Sequence, residues 1–347
     1  MTTQSRPSGA EFVTPQGFEA QPRGNICSTV DIPALQKVGT ERKVGCSGVR
    51  SADEGVEVTK LVVAIATAGR PQIVTGMLPH VARQTVKPDR VIIAIAEPSD
   101  VNPDDLVLPA EVVVGERGCS RQRNAVLDRV GPDDIVIFID DDFLMAPNFC
   151  EEVRNLFDQN PSVVMATGHV IADGIIGPGF GFEEAEHLLS QQEVVSKPKL
   201  RPVYNCYGCN MVLRAGPALE HGVRFDANLP LYGWLEDLDY SRQMAAFGEI
   251  VHSNTLQGVH MGTKVWRTPG LKLGYSQVAN PSYLVWKGTM SFPRAIRIML
   301  RNLGMNLLRS PRPEAWVDRR GRLRGNLLAL KDLASGRLCP QRAEKLK

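Results

Sequence analysis

Three consecutive aspartates, Asp140-Asp141-Asp142, close the apolar run Ile135-Val136-Ile137-Phe138-Ile139. Carboxylates this close repel one another unless a cation, a proton or basic side chains offset them. Oxygen ligands that leave room for a diphosphate suit Mg²⁺ or Mn²⁺. The triad therefore calls for a divalent ion and a phosphorylated ligand; the plain alternative is a solvated acidic turn capping the next helix. A second acidic group, Glu236-Asp237-Leu238-Asp239, follows Tyr232-Gly233-Trp234-Leu235 and opens a predicted helix carrying Leu238, Met244 and Phe247. Acids in a first turn suit the helix dipole, which would explain them structurally. The chemical reading is different. A carboxylate near a metal-bound phosphate can take a proton from an incoming hydroxyl, a role typically worth about 10²–10⁴-fold in rate.

Two further groups invite a metal reading. His260, in Gly258-Val259-His260-Met261-Gly262, follows the predicted strand Glu249-Ile250-Val251-His252. It could complete a metal shell or bond a diphosphate, or be a structural loop histidine. Cys206-Tyr207-Gly208-Cys209 has the spacing of half a zinc site or a redox pair. No second such pair exists, and Tyr204 to Leu213 reads as a strand, so buried thiols are the better reading.

The elements that must position these groups are those of an α/β domain. Unbroken apolar runs at Leu61–Ala66, Val91–Ala96 and Ile135–Ile139 read as strands buried on both faces, hence parallel. Between the first two, Gly69-Arg70-Pro71 starts a helix with Ile73, Met77 and Val81 on one face, and Lys87-Pro88-Asp89 stops it. That is a right-handed βαβ unit. Val112–Val114 is a third short strand, and a helix follows from about Ser120 to Val130 with Ser120 as its N-cap. Phe149 to Gln159 is a helix, Val163–Ala166 a strand, and Gly174 to Gly181 a flexible loop over the sheet's carboxyl edge. Open parallel sheets bind ligands at that edge, where the triad lies. The Gly-x-Gly-x-x-Gly loop of dinucleotide enzymes is absent.

In succession, Ala66-Thr67-Ala68-Gly69-Arg70-Pro71, Arg121-Gln122-Arg123-Asn124, Ile139-Asp140-Asp141-Asp142 and Gly233-Trp234-Leu235-Glu236-Asp237 resemble a family 2 glycosyltransferase of GT-A fold. The resemblance covers roughly residues 60–265. It implies a Rossmann-like mixed sheet, a nucleotide-diphosphate sugar donor, and a Mn²⁺ or Mg²⁺ ion held by Asp140 and Asp142, with His260 a further ligand; Asp141–Asp142 is the other register for the pair. Asp237 matches the general base of inverting members. Arg123 matches an arginine near the nucleotide, and Thr67 and Arg70 fall where the first strand's loop meets the nucleoside. Glu97 stands where members usually carry an Asp that reads the base, and Asp141 is placed with the donor.

The implied reaction is metal-dependent and inverting. It moves one sugar to an acceptor hydroxyl, on a glycan or a lipid-linked acceptor, in bacterial surface-polysaccharide or glycolipid assembly. The Gln-x-x-Arg-Trp motif and membrane spans of processive synthases are missing, which favours single addition. Two rival readings stay open. A haloacid-dehalogenase-like phosphohydrolase also carries Asp-x-Asp after a buried strand, although Phe143 stands where it would have Thr or Val. A non-catalytic nucleotide-sugar-binding module could have kept the fold.

The domain reading is a flexible N-terminal extension over residues 1–58, a GT-A domain over 59–265 and a basic, mainly helical extension over 266–347. The first 24 residues are rich in Ser, Pro, Gly and Gln and lack the apolar core of a secretory signal. Seven cysteines at irregular spacing fit a reducing cytoplasm better than a disulfide framework. Net charge is +2, yet residues 290–347 hold fourteen Lys and Arg against four Asp and Glu, so the rest of the chain is net acidic. From Phe292 an amphipathic helix is predicted, with a stripe of Ile296, Met299, Leu300, Leu303 and Leu307 and with Arg294, Arg297 and Arg301 on another face. Such a helix can lie on an anionic membrane surface or simply pack on the domain. No nucleic-acid fold or stacking pattern accompanies the basic segment at Arg319–Arg324, and nucleic acid is not expected as a partner.

Overall fold

The computed structural model describes residues 59–193, 195, 197–265 and 268–347; the extension expected over residues 1–58 lies outside them. The apolar runs form the strands expected of them. β1 (Leu61–Thr67) leads through α1 (Pro71–Ala82) to β2 (Arg90–Ile95), and β3 (Glu111–Val114) leads through α2 (Cys119–Leu127) to β4 (Ile135–Asp140). Next come β5 (Phe143–Met145), α3 (Phe149–Gln159), β6 (Val163–Asp173), α4 (Phe182–Ser190), β7 (Leu200–Pro202) and β8 (Asn210–Arg214). The sheet region ends with α5 (Ala215–Glu220), α6 (Glu236–Met244) and β9 (Glu249–His260). Helices α7 (Gly270–Lys287), α8 (Phe292–Arg309), α9 (Arg319–Ala334) and α10 (Arg342–Lys345) follow.

The strands form one mixed sheet in the order β3-β2-β1-β4-β8-β6-β9-β5, with β7 also paired to β9. β1 runs parallel to β2 and β4, while β8 is antiparallel to β4 and β6. Side chains alternate along β1, which explains its unbroken apolarity. Leu61, Val63 and Ile65 enter a core shared with α1 and α3, and Val62 and Ala64 enter a core shared with α2 and α6. Both faces are covered, and the carboxyl ends of β1, β2 and β4 open on one edge.

Several expected boundaries shift. Gly118, with φ 137°, caps α2, and Ser120 lies inside its first turn. Of the expected strand from Tyr204 to Leu213 only the last four residues are extended, in β8, which runs on to Arg214; Cys206 and Cys209 are buried free thiols on the loop before it. β9 continues well past His252, so His260 is the last residue of a strand and not a loop residue. The polar run Ser253-Asn254-Thr255 hid that continuation, although Ser253 and Thr255 are buried and bond each other at 2.9 Å.

The C-terminal helices pack closely. A Cβ on Gly274 of α7 would lie 2.0 Å from the carbonyl oxygen of Arg322, and one on Gly325 of α9 would lie 2.1 Å from that of Leu271. Only glycine permits this crossing. Lys287 then fastens α7 to the sheet region, its Nζ 2.7 Å from both Asp226 Oδ2 and Asp239 Oδ2. Among the described residues, no helix is long and apolar enough to cross a membrane.

Candidate active site

The parallel register sets Asp140 at the end of β4, level with Ala66 of β1. The next two aspartates diverge. Asp141 is fully buried; its Oδ2 accepts from Thr67 Oγ1 at 2.6 Å and its Oδ1 lies 2.7 Å from Arg70 Nη2. Burial pushes its pKa up to about 7, against the pull of the Arg70 charge. Asp142 instead approaches His260: Oδ1 is 3.4 Å from His260 Nε2, and Oδ2 accepts from the Thr263 N–H at 2.7 Å. Burial alone would raise Asp142, but the hydrogen bond and charge of His260, then Arg70, hold it below the usual carboxylate range.

Asp140, Asp142 and His260 each offer a ligand atom, and all three atoms lie within 4.8 Å of one another. The set fits a divalent ion. His260 Nδ1 lies 2.9 Å from Asp173 Oδ1, so an Nδ1–H donated to that carboxylate leaves the Nε2 lone pair facing Asp140 and Asp142. Two carboxylates and one imidazole are donors that Mn²⁺ accepts readily and Mg²⁺ less so. Asp141 is outside this cluster, and its carboxylate instead holds Thr67 and Arg70 in place. Asp173 was not singled out in the sequence, where the strand was expected to end at Ala166; β6 runs seven residues further and ends on Asp173.

The Glu236–Asp237 segment reaches the same edge from the other side. Leu231, Gly233 and Leu235 have φ of 62°, 69° and 74°, so three of the five residues before α6 are left-handed. Leucine adopts that conformation at a cost of about 1–3 kcal/mol, a strain that tends to sit at functional sites. The turn directs Glu236 and Asp237 inward. Asp237 Oδ1 accepts from its neighbour Leu238 N–H at 2.7 Å and Oδ2 from Gly208 N–H at 3.0 Å. Enclosure raises the Asp237 pKa, opposed by those two N–H groups and by Arg123.

Arg123, expected near a nucleotide, is 2 % exposed and joins the two acidic groups. Its Nη1 pairs with Glu236, while Nη2 reaches Asp140 Oδ1 at 3.1 Å and the Gly208 carbonyl at 2.8 Å. Burial pushes Glu236 up to about 8 despite this partner. A cavity of about 110 Å³ lies between Asp140 and Asp237, with Arg123, Gly208, Tyr232 and Trp234 among its walls. Glu97 is exposed and pairs with Arg117 at 2.9 Å, away from that cavity's walls. Asp100, three residues later, is buried and accepts from the N–H groups of Gly69, Ala96 and Glu97, fixing the loops after β1 and β2.

The profile described as Glycosyl transferase family 2 matches residues 62–218, from β1 into α5. The chain carries a family 2 glycosyltransferase domain. The matched span includes the aspartate triad and Arg123, while Asp237 and His260 lie beyond its end. A relative from Haloferax volcanii, glucosyl-dolichyl phosphate glucuronosyltransferase, is 28% identical over 176 residues, which is 48% of this chain and 56% of that protein. The chain thus spans little more than half the length of that curated relative. Residues 1–349 of S. aureus TarS superpose with a TM-score of 0.50 at 14% identity, covering 83% of each chain. The mixed sheet is accordingly the GT-A arrangement that the motifs implied, and the haloacid-dehalogenase reading falls with the family match.

Proposed function

We propose that this glycosyltransferase moves one sugar from a nucleoside-diphosphate donor to an acceptor hydroxyl with inversion at the anomeric carbon. The observation that carries the reading is the shared cavity, which has Asp140 of the candidate metal cluster on one wall and Asp237 on another. A divalent ion held by Asp140, Asp142 and His260 would offset the charge of the donor's diphosphate and make it a better leaving group. Asp237 accepts the proton of the attacking hydroxyl, and the N–H groups of Leu238 and Gly208 keep its carboxylate aimed into the cavity. The hydroxyl oxygen bonds to the anomeric carbon as the bond to the diphosphate oxygen breaks. Arg123 acts through its neighbours, holding Asp140 and Glu236 in fixed relation. Arg70 and Thr67 line the approach to the β1 edge, with Asp141 as their anchor.

The acceptor in this reading is a sugar already joined to a lipid phosphate, the kind that the name of the Haloferax volcanii relative describes. Glycolipid or surface-polysaccharide assembly at the cytoplasmic face of a membrane would use such an acceptor. The buried free thiols Cys150, Cys206 and Cys209 agree with a reducing compartment. Calorimetric titration of UDP, GDP and dTDP, with and without Mn²⁺, tests the donor site. Manganese-dependent binding of one nucleotide, lost in the Asp140→Ala/Asp142→Ala double variant, is the expected result. Metal-independent binding, or none, would overturn the assignment.

A further inference from the structure

α8 carries an apolar stripe that the fold covers only in part. Phe292, Ile296, Leu300, Leu303 and Leu307 recur at steps of four, four, three and four residues, which places them along one side of the helix. A helix that only covers a domain turns such a stripe inward. Here the inward side takes only the stripe's edge, where Ile296 and Leu303 are half-buried and Met299 packs on the domain. Only Ala295 and Asn306 of α8 are buried, with Ile298 and Met299 packed beside Leu238, Leu284 and Met290. Phe292, Leu300 and Leu307 remain 64%, 63% and 58% exposed, and the adjoining Leu308 is 78% exposed. Trp286, just before the turn into α8, is 53% exposed.

Charge narrows what could cover this stripe. Arg297 and Arg301 fall on its flank, are exposed, and make no ion pair among the described residues. Arg294, by contrast, stacks over the Tyr204 ring with its guanidinium carbon 3.6 Å from the centroid, so it is partly committed. A second copy of the chain laid on this face would bring the same arginines together. A polyanion without apolar parts would leave the leucines in water. An anionic bilayer satisfies both, since acyl chains take the leucines, headgroup phosphates take the arginines, and aromatic residues favour the boundary.

We propose that α8 is an interfacial helix, seated in an anionic lipid surface along the Phe292–Leu307 stripe with Arg297 and Arg301 at the phosphates. Its inward side belongs to the apolar cluster that also holds Leu238, the residue after Asp237, so that cluster separates the lipid surface from the candidate base. That placement gives the base access to a lipid-borne hydroxyl, a consequence that rests on the transfer reaction proposed above; the binding itself does not.

The test is flotation of the full chain with phosphatidylcholine vesicles, alone or containing phosphatidylglycerol. Three variants join it: Leu300→Ser/Leu307→Ser, Arg297→Gln/Arg301→Gln, and Asp237→Asn. The wild type should float with the anionic vesicles. The leucine pair should abolish flotation, and the arginine pair should weaken it about 25-fold, at roughly fivefold per basic residue. Asp237→Asn should float as the wild type does, which separates the surface from the reaction. Circular dichroism checks the fold of the exposed-site variants, and size exclusion reads their oligomeric state. The proposal is overturned by a wild type that stays with the soluble fraction, by flotation indifferent to the leucine pair, or by a dimer that this pair dissolves.

Discussion

Asp173 Oδ1 lies 2.9 Å from His260 Nδ1, and the same carboxylate takes the Tyr207 hydroxyl on Oδ2 at 2.8 Å. The imidazole is thereby fixed from behind, and its other nitrogen faces Asp142 and Asp140 at 3.4 and 3.9 Å. An acid in this position orients a histidine and raises its basicity as a ligand.

Removing that support should show in metal affinity before anything else. Asp173→Ala is expected to weaken Mn²⁺ binding by about 10–100-fold, the usual cost of losing such a partner. Asp173→Asn, which can still accept from Nδ1–H, should recover part of it. Calorimetry with Mn²⁺ alone reads this without any turnover, and unchanged affinity in the alanine variant would contradict the arrangement.

Asp237→Asn keeps the shape of the side chain and removes the base. Transfer should fall by about 10²–10⁴-fold while metal-dependent nucleotide binding persists. Loss of both together would mean that Asp237 serves the donor site instead.

The pH profile follows from the same residue. Enclosure raises the Asp237 pKa, and a base works only when deprotonated. Activity should therefore be lost as pH falls, with the midpoint of kcat/KM above the ordinary aspartate value of about 4. An acid limb at or below that value would refute the assignment of Asp237 as the titrating base.

Gly208 joins both halves of the site, donating its N–H to Asp237 and accepting from Arg123. A Cβ there would lie 3.4 Å from Asp237 Oδ2 and from Glu236 Oε1. Those are ordinary van der Waals distances, so Gly208→Ala should leave both kcat and the melting temperature close to those of the wild type. A tenfold or larger fall in kcat at unchanged melting temperature would show that the Asp237 carboxylate cannot share its space with even one methyl group.

The latch between α7 and α6 carries stability. Lys287 bridges Asp226 to the fully buried Asp239, whose other oxygen accepts from Thr289 Oγ1 at 2.6 Å. Lys287→Met leaves a buried carboxylate without its cation and should cost about 3 kcal/mol in denaturant unfolding. Asp239→Asn in the same background should restore part of that loss.

The parts of this fold that were readable share one property: their signal is local. Runs such as Leu61–Ala66 and Ile135–Ile139 announce buried strands because both faces must be apolar, and the Phe149–Gln159 helix ends at Asn160-Pro161 as its breaker requires. Asp140, Asp142, His260 and Asp237 stood out because acids and a histidine beside apolar strands are costly unless used. What escaped depends on distant partners. Arg123 sits 113 residues from Glu236, and nothing near either residue announces their pairing. Asp141 looks identical to its neighbours in sequence; only the alternation of side chains after β4 sends it to Thr67 and Arg70. The stripe on α8 was legible, but which side of the helix faces the domain is decided by Ala295 and Asn306, whose small size and polarity gave no such hint.

His260 is held by two neighbouring strands at once, with Asp173 of β6 and Phe143 of β5 as its partners in register. The β6–β9 pairing shifts three times on the way there, between Val163 and Met165, Thr167 and His169, and Val170 and Ala172. In a strand, one residue gained or lost turns every later side chain to the opposite face. A single deletion between Thr255 and Gly258 would swing the imidazole away from Asp140 and Asp142, even though the apolar contacts along the strand could be rebuilt with other side chains. Descendants of this chain are therefore free to respell the apolar positions of β6 and β9, but not Asp173 or His260, nor the number of letters that brings the two side by side.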